Sequence, residues 1–228
     1  MADVVPIATS NLVLRVGSAI VLAPLALLTA YLGRWPFTLF WAAAAIAVLW
    51  EWMKLVTGPI WIVAGLFYVG ALLAAPLILR NGEYGLTAVL LLFAVVWTTD
   101  VLGYFVGRAF GGPKLMPAIS PKKTWSGAVA GALGAMVVAV LVAKYFGSFD
   151  IVAIALIALL LSLVSQLGDL LESWVKRRFG VKDASQLIPG HGGVMDRLDG
   201  FWAAALAGCL IGLLRGGFGG AATGLLVW

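Results

Sequence analysis

The sequence predicts an all-α integral membrane protein, a polytopic bundle of about six to eight transmembrane helices. Of its 228 residues, 63% are hydrophobic and only 11% carry a charge, whereas about 25% of the residues of a soluble domain are charged. The mean hydropathy is +1.07. Apolar runs of about 20 residues, each long enough to cross about 30 Å of hydrocarbon, recur along the whole chain.

These apolar runs define the predicted helices in chain order. The first run is too long for a removable signal peptide and lacks the small-residue cleavage pattern. The last region, 201–228, is broken at Arg215-Gly216-Gly217, so we expect one short span followed by an interfacial tail. The six uninterrupted runs cover 12–32, 37–56, 60–79, 86–105, 127–146 and 151–171.

Small residues indicate how these helices pack. Gly127, Gly131 and Gly134 share one helical stripe, which allows two helices to approach closely in lipid. The lone Cys209 cannot form an intramolecular disulfide, and its apolar surroundings indicate a small packing residue. Because no repeat or long linker divides the chain, we expect a single transmembrane domain over 1–228.

Positive charges predict the orientation. With the N-terminus in the cytoplasm, eleven of the 15 Lys and Arg fall on the cytoplasmic side, as the positive-inside rule requires. We therefore expect cytoplasmic loops at 107–126 and 172–200, in a bacterial inner membrane. For an isolated lysine, setting the topology is an alternative to a functional role. The four residues on the other side are Arg34, Arg80, Lys144 and Arg215.

The stretch 173–199 concentrates the polar chemistry of the chain. Its 27 residues hold five of the 15 Lys and Arg, three of the 10 Asp and Glu, and the only histidine, His191. Basic, acidic and glycine residues clustered in one loop are typical of a site that binds phosphate and metal at a membrane surface. We therefore place the functional site here.

Carboxylates around this stretch suggest a cation site. Ser165, Asp169, Ser173 and Lys176 lie on one helical face, with Glu172 beside them. A charged Asp169 following seventeen uncharged residues costs at least about 2.5 kcal/mol near the bilayer unless a cation compensates it.

A second pair of carboxylates follows the loop. Asp196 and Asp199 lie three residues apart and could complete a site for Mg²⁺, which binds one or two protein oxygens plus substrate phosphate. Alternatively, both aspartates pair with Arg197 or Lys176 and cap a helix.

Three glycines surround His191 in the sequence Pro189-Gly190-His191-Gly192-Gly193. Such a turn lets the backbone approach a ligand closely and direct its N–H groups at anionic oxygens. Neighbouring basic residues favour a polyphosphate ligand over a simple turn. His191 could donate to phosphate, move a proton or hold the turn together by a structural hydrogen bond.

These residues resemble the signature of the phosphatidate cytidylyltransferases, also called CDP-diacylglycerol synthases. The first 80 residues match the family only as apolar helices, so 1–80 forms the N-terminal helices and 81–228 the catalytic helices with their two cytoplasmic active-site loops. The matching positions are Asp100, Gly107-Arg108, Ser120-Pro121-Lys122-Lys123-Thr124-Trp125, Ser165-Gln166, Gly168-Asp169-Leu170, Glu172-Ser173, Lys176-Arg177, Lys182-Asp183, Ser185, Ile188-Pro189, His191-Gly192-Gly193, Asp196-Arg197 and Asp199.

The resemblance implies that CTP and phosphatidate react to CDP-diacylglycerol and pyrophosphate, a step of phospholipid biosynthesis. It also implies that Asp169 and Asp196 hold Mg²⁺, with a monovalent ion such as K⁺ as a second cation, and that the protein is a homodimer. We expect Asp169, Asp196, Lys176 and Arg177 to be catalytic. No nucleic-acid partner is expected. The expected substrate-binding residues are Asp100, Lys122, Lys123, Ser173, Lys182, His191, Gly192, Gly193, Arg197 and Asp199.

The chain departs from the resemblance at Ser126, where the family often has a glutamate, and in having fewer spans than many relatives. A role for that acid is then dispensable or is taken by another residue such as Glu172. Three other functions stay open on the sequence alone. They are an ion-coupled transporter using Glu51, Asp100 and Asp169, a scaffold that binds anionic lipids, and another CTP-dependent transferase such as a polyprenol kinase or an enzyme for ether-linked lipids.

Overall fold

The structure is a computed structural model that describes residues 7–147, 149–188 and 192–228, with side chains of the first helix described from Ile20 onward. Within these ranges the chain forms a helical bundle with one small antiparallel sheet. In chain order the elements are α1 (Ile7–Leu32), α2 (Arg34–Leu55), α3 (Pro59–Arg80), α4 (Gly85–Phe110), β1 (Lys114–Met116), β2 (Ser120–Thr124), α5 (Trp125–Phe146), α6 (Ile151–Arg178), α7 (Met195–Leu198), α8 (Phe201–Gly216) and α9 (Ala221–Leu226).

Helices α2 to α6 are the membrane-crossing core of the described chain. Each has 22 to 28 residues and is long and apolar enough to span a bilayer. Helices α1 and α8 are also apolar. The prediction of an all-α polytopic membrane protein is confirmed, and each of the six predicted runs lies within one helix except that Val56 falls one residue beyond α2.

Polar side chains fix where two of the spans begin. The Thr124 hydroxyl accepts a hydrogen bond from Gly127 N at 3.2 Å and caps α5. Asp150 caps α6, because its Oδ1 accepts from Val152 N and Ala153 N at 2.8 and 3.0 Å. Each cap satisfies backbone donors that the first turn of a helix leaves without partners.

Helices α4 and α5 touch backbone to backbone through glycine. A Cβ atom on Gly127 would lie 2.4 Å from Gly103 O, and one on Gly131 would lie 2.7 Å from Thr99 O. A Cβ on Gly134 would lie 2.0 Å from a methyl carbon of Leu102. The predicted packing role of this glycine stripe is confirmed, and α5 is held against α4 along its N-terminal half.

The C-terminal segment differs from the prediction. The break at Arg215-Gly216-Gly217 is confirmed, since Gly217 reverses the chain with φ of +69°. The expected interfacial tail is wrong, because α9 folds back along α8 and is buried in the bundle. The close approach depends on glycine: a Cβ on Gly224 would lie 2.3 Å from Gly212 O. The fully buried residues of α9 are Ala221, Ala222, Leu225 and Leu226.

Both predicted polar loops contain regular structure. Strands β1 and β2 form an antiparallel hairpin within 107–126, in which Lys114 pairs with Thr124 and Met116 with Ser120. Helix α6 extends to Arg178 and takes up the first residues of the loop predicted from 172. No helix breaker occurs before Gly180, which adopts φ of +74°.

The two ends of the bundle carry different contacts. At one end Arg80 donates to the carbonyls of Ala30 and Tyr31 at 2.7 and 3.2 Å, which caps the last turn of α1. At the other end lie the β1–β2 hairpin, which packs against α4 and α5, the end of α6, and α7, which packs against α2. The predicted functional residues that the structure describes therefore lie toward one end of the molecule.

Candidate functional site

Asp169 and Lys123 join the two polar segments. Lys123 Nζ, at the end of β2, donates to Asp169 Oδ2 on α6, and Ser173 Oγ donates to Asp169 Oδ1 at 3.3 Å. The Lys123 and Asp169 side chains remain 28% and 21% exposed. This pair, which we call the open pair, is therefore accessible to a ligand.

Asp196 belongs to a buried ion cluster. Lys176 Nζ lies 2.5 Å from Asp196 Oδ1 and 3.0 Å from Glu172 Oε1. The side chains of Lys176, Asp196 and Glu172 are 8%, 7% and 1% exposed, respectively. We call this set the buried triad. The pairing of Asp196 with Lys176, one of the two alternatives drawn from the sequence, is present.

Tyr68 extends the buried triad to α3. Its hydroxyl donates to Glu172 Oε2 at 3.1 Å, and its ring lies 4.6 Å from the ring of Trp202 on α8. Each oxygen of Glu172 thus has a partner, as burial of a carboxylate requires. Tyr68 was not among the predicted site residues, because a tyrosine in an apolar run is usually a packing residue.

The second oxygen of Asp196 holds the loop that precedes it. Asp196 Oδ2 accepts from Ala184 N at 3.0 Å and from Gly193 N at 2.8 Å. Asp196 therefore has three donors: one ammonium group and two backbone amides. Such charge-assisted bonds are stronger than neutral ones, so the aspartate is firmly positioned.

Glu51 of α2 also contacts this loop and was not among the predicted site residues. It is fully buried and accepts from Ser185 Oγ at 2.5 Å, Val194 N at 2.9 Å and Met195 N at 2.7 Å. The signal that could have identified it is an acidic residue inside the apolar run 37–56. Among the functions that the sequence left open, only the ion-coupled transporter used Glu51.

Asp199 and Asp100 add negative charge near Asp169. The backbone carbonyl of Asp199 would lie 3.0 Å from a Cβ on Gly168, which places Asp199 beside the Asp169 turn. Burial, followed by the charges of Asp169, Glu172 and Asp100, raises the pKa of Asp199 well above the ordinary value for aspartate. Asp100 on α4 interacts electrostatically with Asp169, Lys123 and Arg197. Carboxylates at this density favour a bound cation.

The glycine turn is only partly described. Gly192 adopts φ of +90° and its carbonyl accepts from Ile188 N at 2.9 Å, which closes the turn. The amide of Gly193 is engaged by Asp196. A phosphate contact by Gly192 or Gly193 stays a prediction, and His191 lies outside the described residues.

The remaining predicted residues lie at the same end of the molecule. Arg177 Nη1 donates to Val181 O at 2.9 Å and so stabilises the turn after α6. Lys122, Lys182 and Arg197 are exposed. Their assignment to substrate binding therefore stays a prediction.

The carboxylates suit a cation that arrives with a phosphate ligand. Among the residues that the structure describes, no group of three or more His, Cys, Asp or Glu side chains could hold a metal ion. Mg²⁺ usually binds one or two carboxylates together with substrate phosphates and water. The open pair offers Asp169 for this purpose, while Asp196 is already bonded to Lys176.

Fold and site together define an integral membrane protein whose acidic and basic residues converge from α2, α3, α6, α7 and the hairpin. Residues 57–213 match the Cytidylyltransferase family. The chain is 41% identical to phosphatidate cytidylyltransferase of Brucella abortus (strain 2308), over 90% of this chain and 94% of that protein. It is 38% identical to the phosphatidate cytidylyltransferase of Rickettsia bellii (strain RML369-C), over 83% and 86%. The chain belongs to the cytidylyltransferase family.

Proposed function

We propose that this protein is a Mg²⁺-dependent CTP:phosphatidate cytidylyltransferase with its active site on the cytoplasmic side of a bacterial inner membrane. The observation that carries the proposal is the convergence of the open pair and the buried triad at one end of α6 in a member of this family. Similar relatives bear the name phosphatidate cytidylyltransferase.

The reaction joins two anions. A phosphate oxygen of phosphatidate forms a bond to the α-phosphorus of CTP, the bond from that phosphorus to the β-phosphate oxygen breaks, and pyrophosphate leaves with the electron pair. No covalent enzyme intermediate is needed. Catalysis of such a transfer depends mainly on positioning and on positive charge placed against the phosphates.

Residues of this chain are suited to both tasks. Lys123 lies on an exposed edge of the site, where its ammonium group can turn from Asp169 to a substrate phosphate. Asp169 would hold Mg²⁺, which when bound neutralises charge on the leaving pyrophosphate, and Asp196 as a second ligand stays a prediction of the family resemblance. Lys176 holds Asp196 in place through the buried triad. A second cation such as K⁺, and a homodimer, stay predictions of the family resemblance.

The test is a labelled-substrate assay with purified protein in detergent. CTP labelled at the α-phosphorus should pass its label to a lipid product when phosphatidate and Mg²⁺ are present, whereas label at the γ-phosphorus should appear in pyrophosphate. A polyprenol kinase would instead place the γ-label in lipid. Transfer to an ether-linked lipid but not to phosphatidate would indicate a cytidylyltransferase for ether-linked lipids.

Two controls separate the site from the rest of the chain. Asp169→Asn should abolish turnover, while Glu83→Gln, at an exposed carboxylate far from the site, should leave it unchanged. EDTA should stop the wild-type reaction and added Mg²⁺ should restore it. An unchanged rate in EDTA would reject the metal requirement without rejecting the transfer.

Orientation can be tested with the single cysteine removed by Cys209→Ala. A cysteine introduced at Lys122 and another at Lys144, both exposed and near opposite ends of α5, should react from opposite sides of membrane vesicles. Labelling of the Lys122→Cys variant only from the cytoplasmic side supports the proposed topology. Labelling of the Lys122→Cys variant only from the outside would show the opposite topology.

A further inference from the structure

The carboxylate of Glu51 contacts both ends of one loop. We define the Glu51 loop as residues 184–188 and 192–195. Ser185 Oγ, at the start of the loop, and the amides of Val194 and Met195, at its end, all donate to the two oxygens of Glu51. One side chain on α2 therefore closes a loop more than 130 residues away in sequence.

The contact depends on close approach. A Cβ on Gly193 would lie 2.7 Å from Glu51 Oε1, so a side chain at this position would displace the carboxylate. Ser185 Oγ also accepts from Leu187 N at 3.0 Å, which extends the bonded network into the loop. Glycine at 193 and serine at 185 are therefore matched to an acid at 51.

The loop held by Glu51 also holds Asp196. The amides of Ala184 and Gly193, which flank the Glu51 contacts, donate to Asp196 Oδ2. Glu51 and Asp196 therefore both accept hydrogen bonds from the same loop. A shift of the loop away from Glu51 would also change the position of the loop relative to Asp196.

From this geometry we propose that Glu51 is a positioning residue for the reaction: it fixes the Glu51 loop and, through it, Asp196. The inference rests on the proposed function. Glu51 precedes the residues that match the family, 57–213, and its hydrogen bonds to described residues go to the Glu51 loop. The contacts that it makes involve hydroxyl and amide donors rather than the lysines of the open pair or the buried triad.

The test compares substrate dependence in Glu51→Gln with that in Glu83→Gln, the same change at an exposed acid. The amide of glutamine presents an N–H₂ group to donors that need an acceptor, so the loop should shift. Because misplacement of about 1 Å can cost about 100-fold, we expect kcat to fall by about 10- to 100-fold in Glu51→Gln. The KM for CTP and the KM for phosphatidate should each change by less than about threefold, because the loss is one of alignment rather than of substrate binding.

Two further variants keep the outcome interpretable. Glu51→Asp keeps the charge with a shorter side chain and should recover part of the loss, whereas Ser185→Ala removes one of the three donors and should reproduce a smaller loss of the same kind. Hydrogen exchange of the peptide containing Val194 and Met195 should accelerate in Glu51→Gln and remain unchanged in Glu83→Gln.

The wild-type protein separates the two proposals. If it makes no CDP-lipid, the proposed function fails before Glu51 is tested. If wild type is active and Glu51→Gln only loses folded protein, with both KM values and the kcat of the folded fraction unchanged, Glu51 is a structural residue and the inference is overturned. A loss carried by the KM values, with kcat unchanged, would overturn it as well.

Discussion

The two aspartates that look alike in the sequence occupy different environments. Asp169 lies in the open pair, where it has one lysine and one serine as partners and is 21% exposed. Asp196 lies in the buried triad, is 7% exposed and accepts from one lysine and two amides. The comparison indicates that Asp169 is free to exchange its partner for a ligand, whereas Asp196 also supports the fold.

The difference follows from charge burial. A solvent-exposed ion pair contributes about 0–1 kcal/mol to stability because water and salt screen it. A buried pair that loses one member leaves an uncompensated charge, which costs about 3–5 kcal/mol. Lys123 therefore contributes little to stability, whereas Lys176 stabilises the fold.

The largest expected effect is that of Lys176→Met. It leaves Glu172 and Asp196 without their shared cation, so the free energy of unfolding should fall by about 3–5 kcal/mol. Titration with a denaturing detergent measures this change. Lys122→Met, at an exposed lysine, is the control, and a loss under about 1 kcal/mol for Lys176→Met would mean that the triad is not a stabilising unit.

The next effect separates the aspartates themselves. Both Asp169→Asn and Asp196→Asn should abolish turnover, but only Asp196→Asn should also cost about 1–3 kcal/mol of stability, because an asparagine amide cannot satisfy every donor at that site. Thermal unfolding of the two purified variants distinguishes them. Equal unfolding temperatures for the two variants would contradict the proposed difference in stability between the open pair and the buried triad.

A smaller effect is expected for Tyr68→Phe. The change removes the hydroxyl that donates to Glu172 at 3.1 Å and keeps the ring against Trp202. Hydrogen bonds between membrane helices contribute about 1 kcal/mol, so the unfolding midpoint should fall slightly while the rate of CDP-lipid formation is retained. A loss of activity without loss of stability would instead give Tyr68 a direct catalytic role.

The smallest effect concerns the open pair. Lys123→Met should reduce stability by less than about 1 kcal/mol, and the difference from wild type should shrink further as salt is raised to about 1 M, where the Debye length is about 3 Å. Unfolding titrations of both proteins at two salt concentrations measure this difference in the free energy of unfolding. A salt-independent loss of several kcal/mol would place Lys123 among the structural residues.

Much of the fold could be predicted from the sequence because each span is a continuous apolar run. The helix that carries Asp169 and Ser173 follows from spacing alone, and their contact is confirmed. The packing of Gly131 against Thr99 follows from a stripe of small residues. These features depend on residues close in sequence or on one helical face.

The other features of the fold and the site depend on contacts between residues far apart in the sequence, which no local pattern predicts. Glu51 meets Met195 across 144 positions, and nothing near either residue in the chain identifies the other. The burial of α9 required knowledge that α8 has room beside Gly212. Lys123 was predicted to bind a ligand, but its pairing with Asp169 appears only when the hairpin is placed against α6.

The contact between α4 and α5 also bears on the hairpin that joins them. A single methyl group at Gly127 or Gly131 would collide with the backbone of α4, so the glycines set how close the two helices lie. The hairpin that carries Lys123 leaves the end of α4 and returns at the start of α5. The distance between its two anchor points is therefore set by residues that have no side chain.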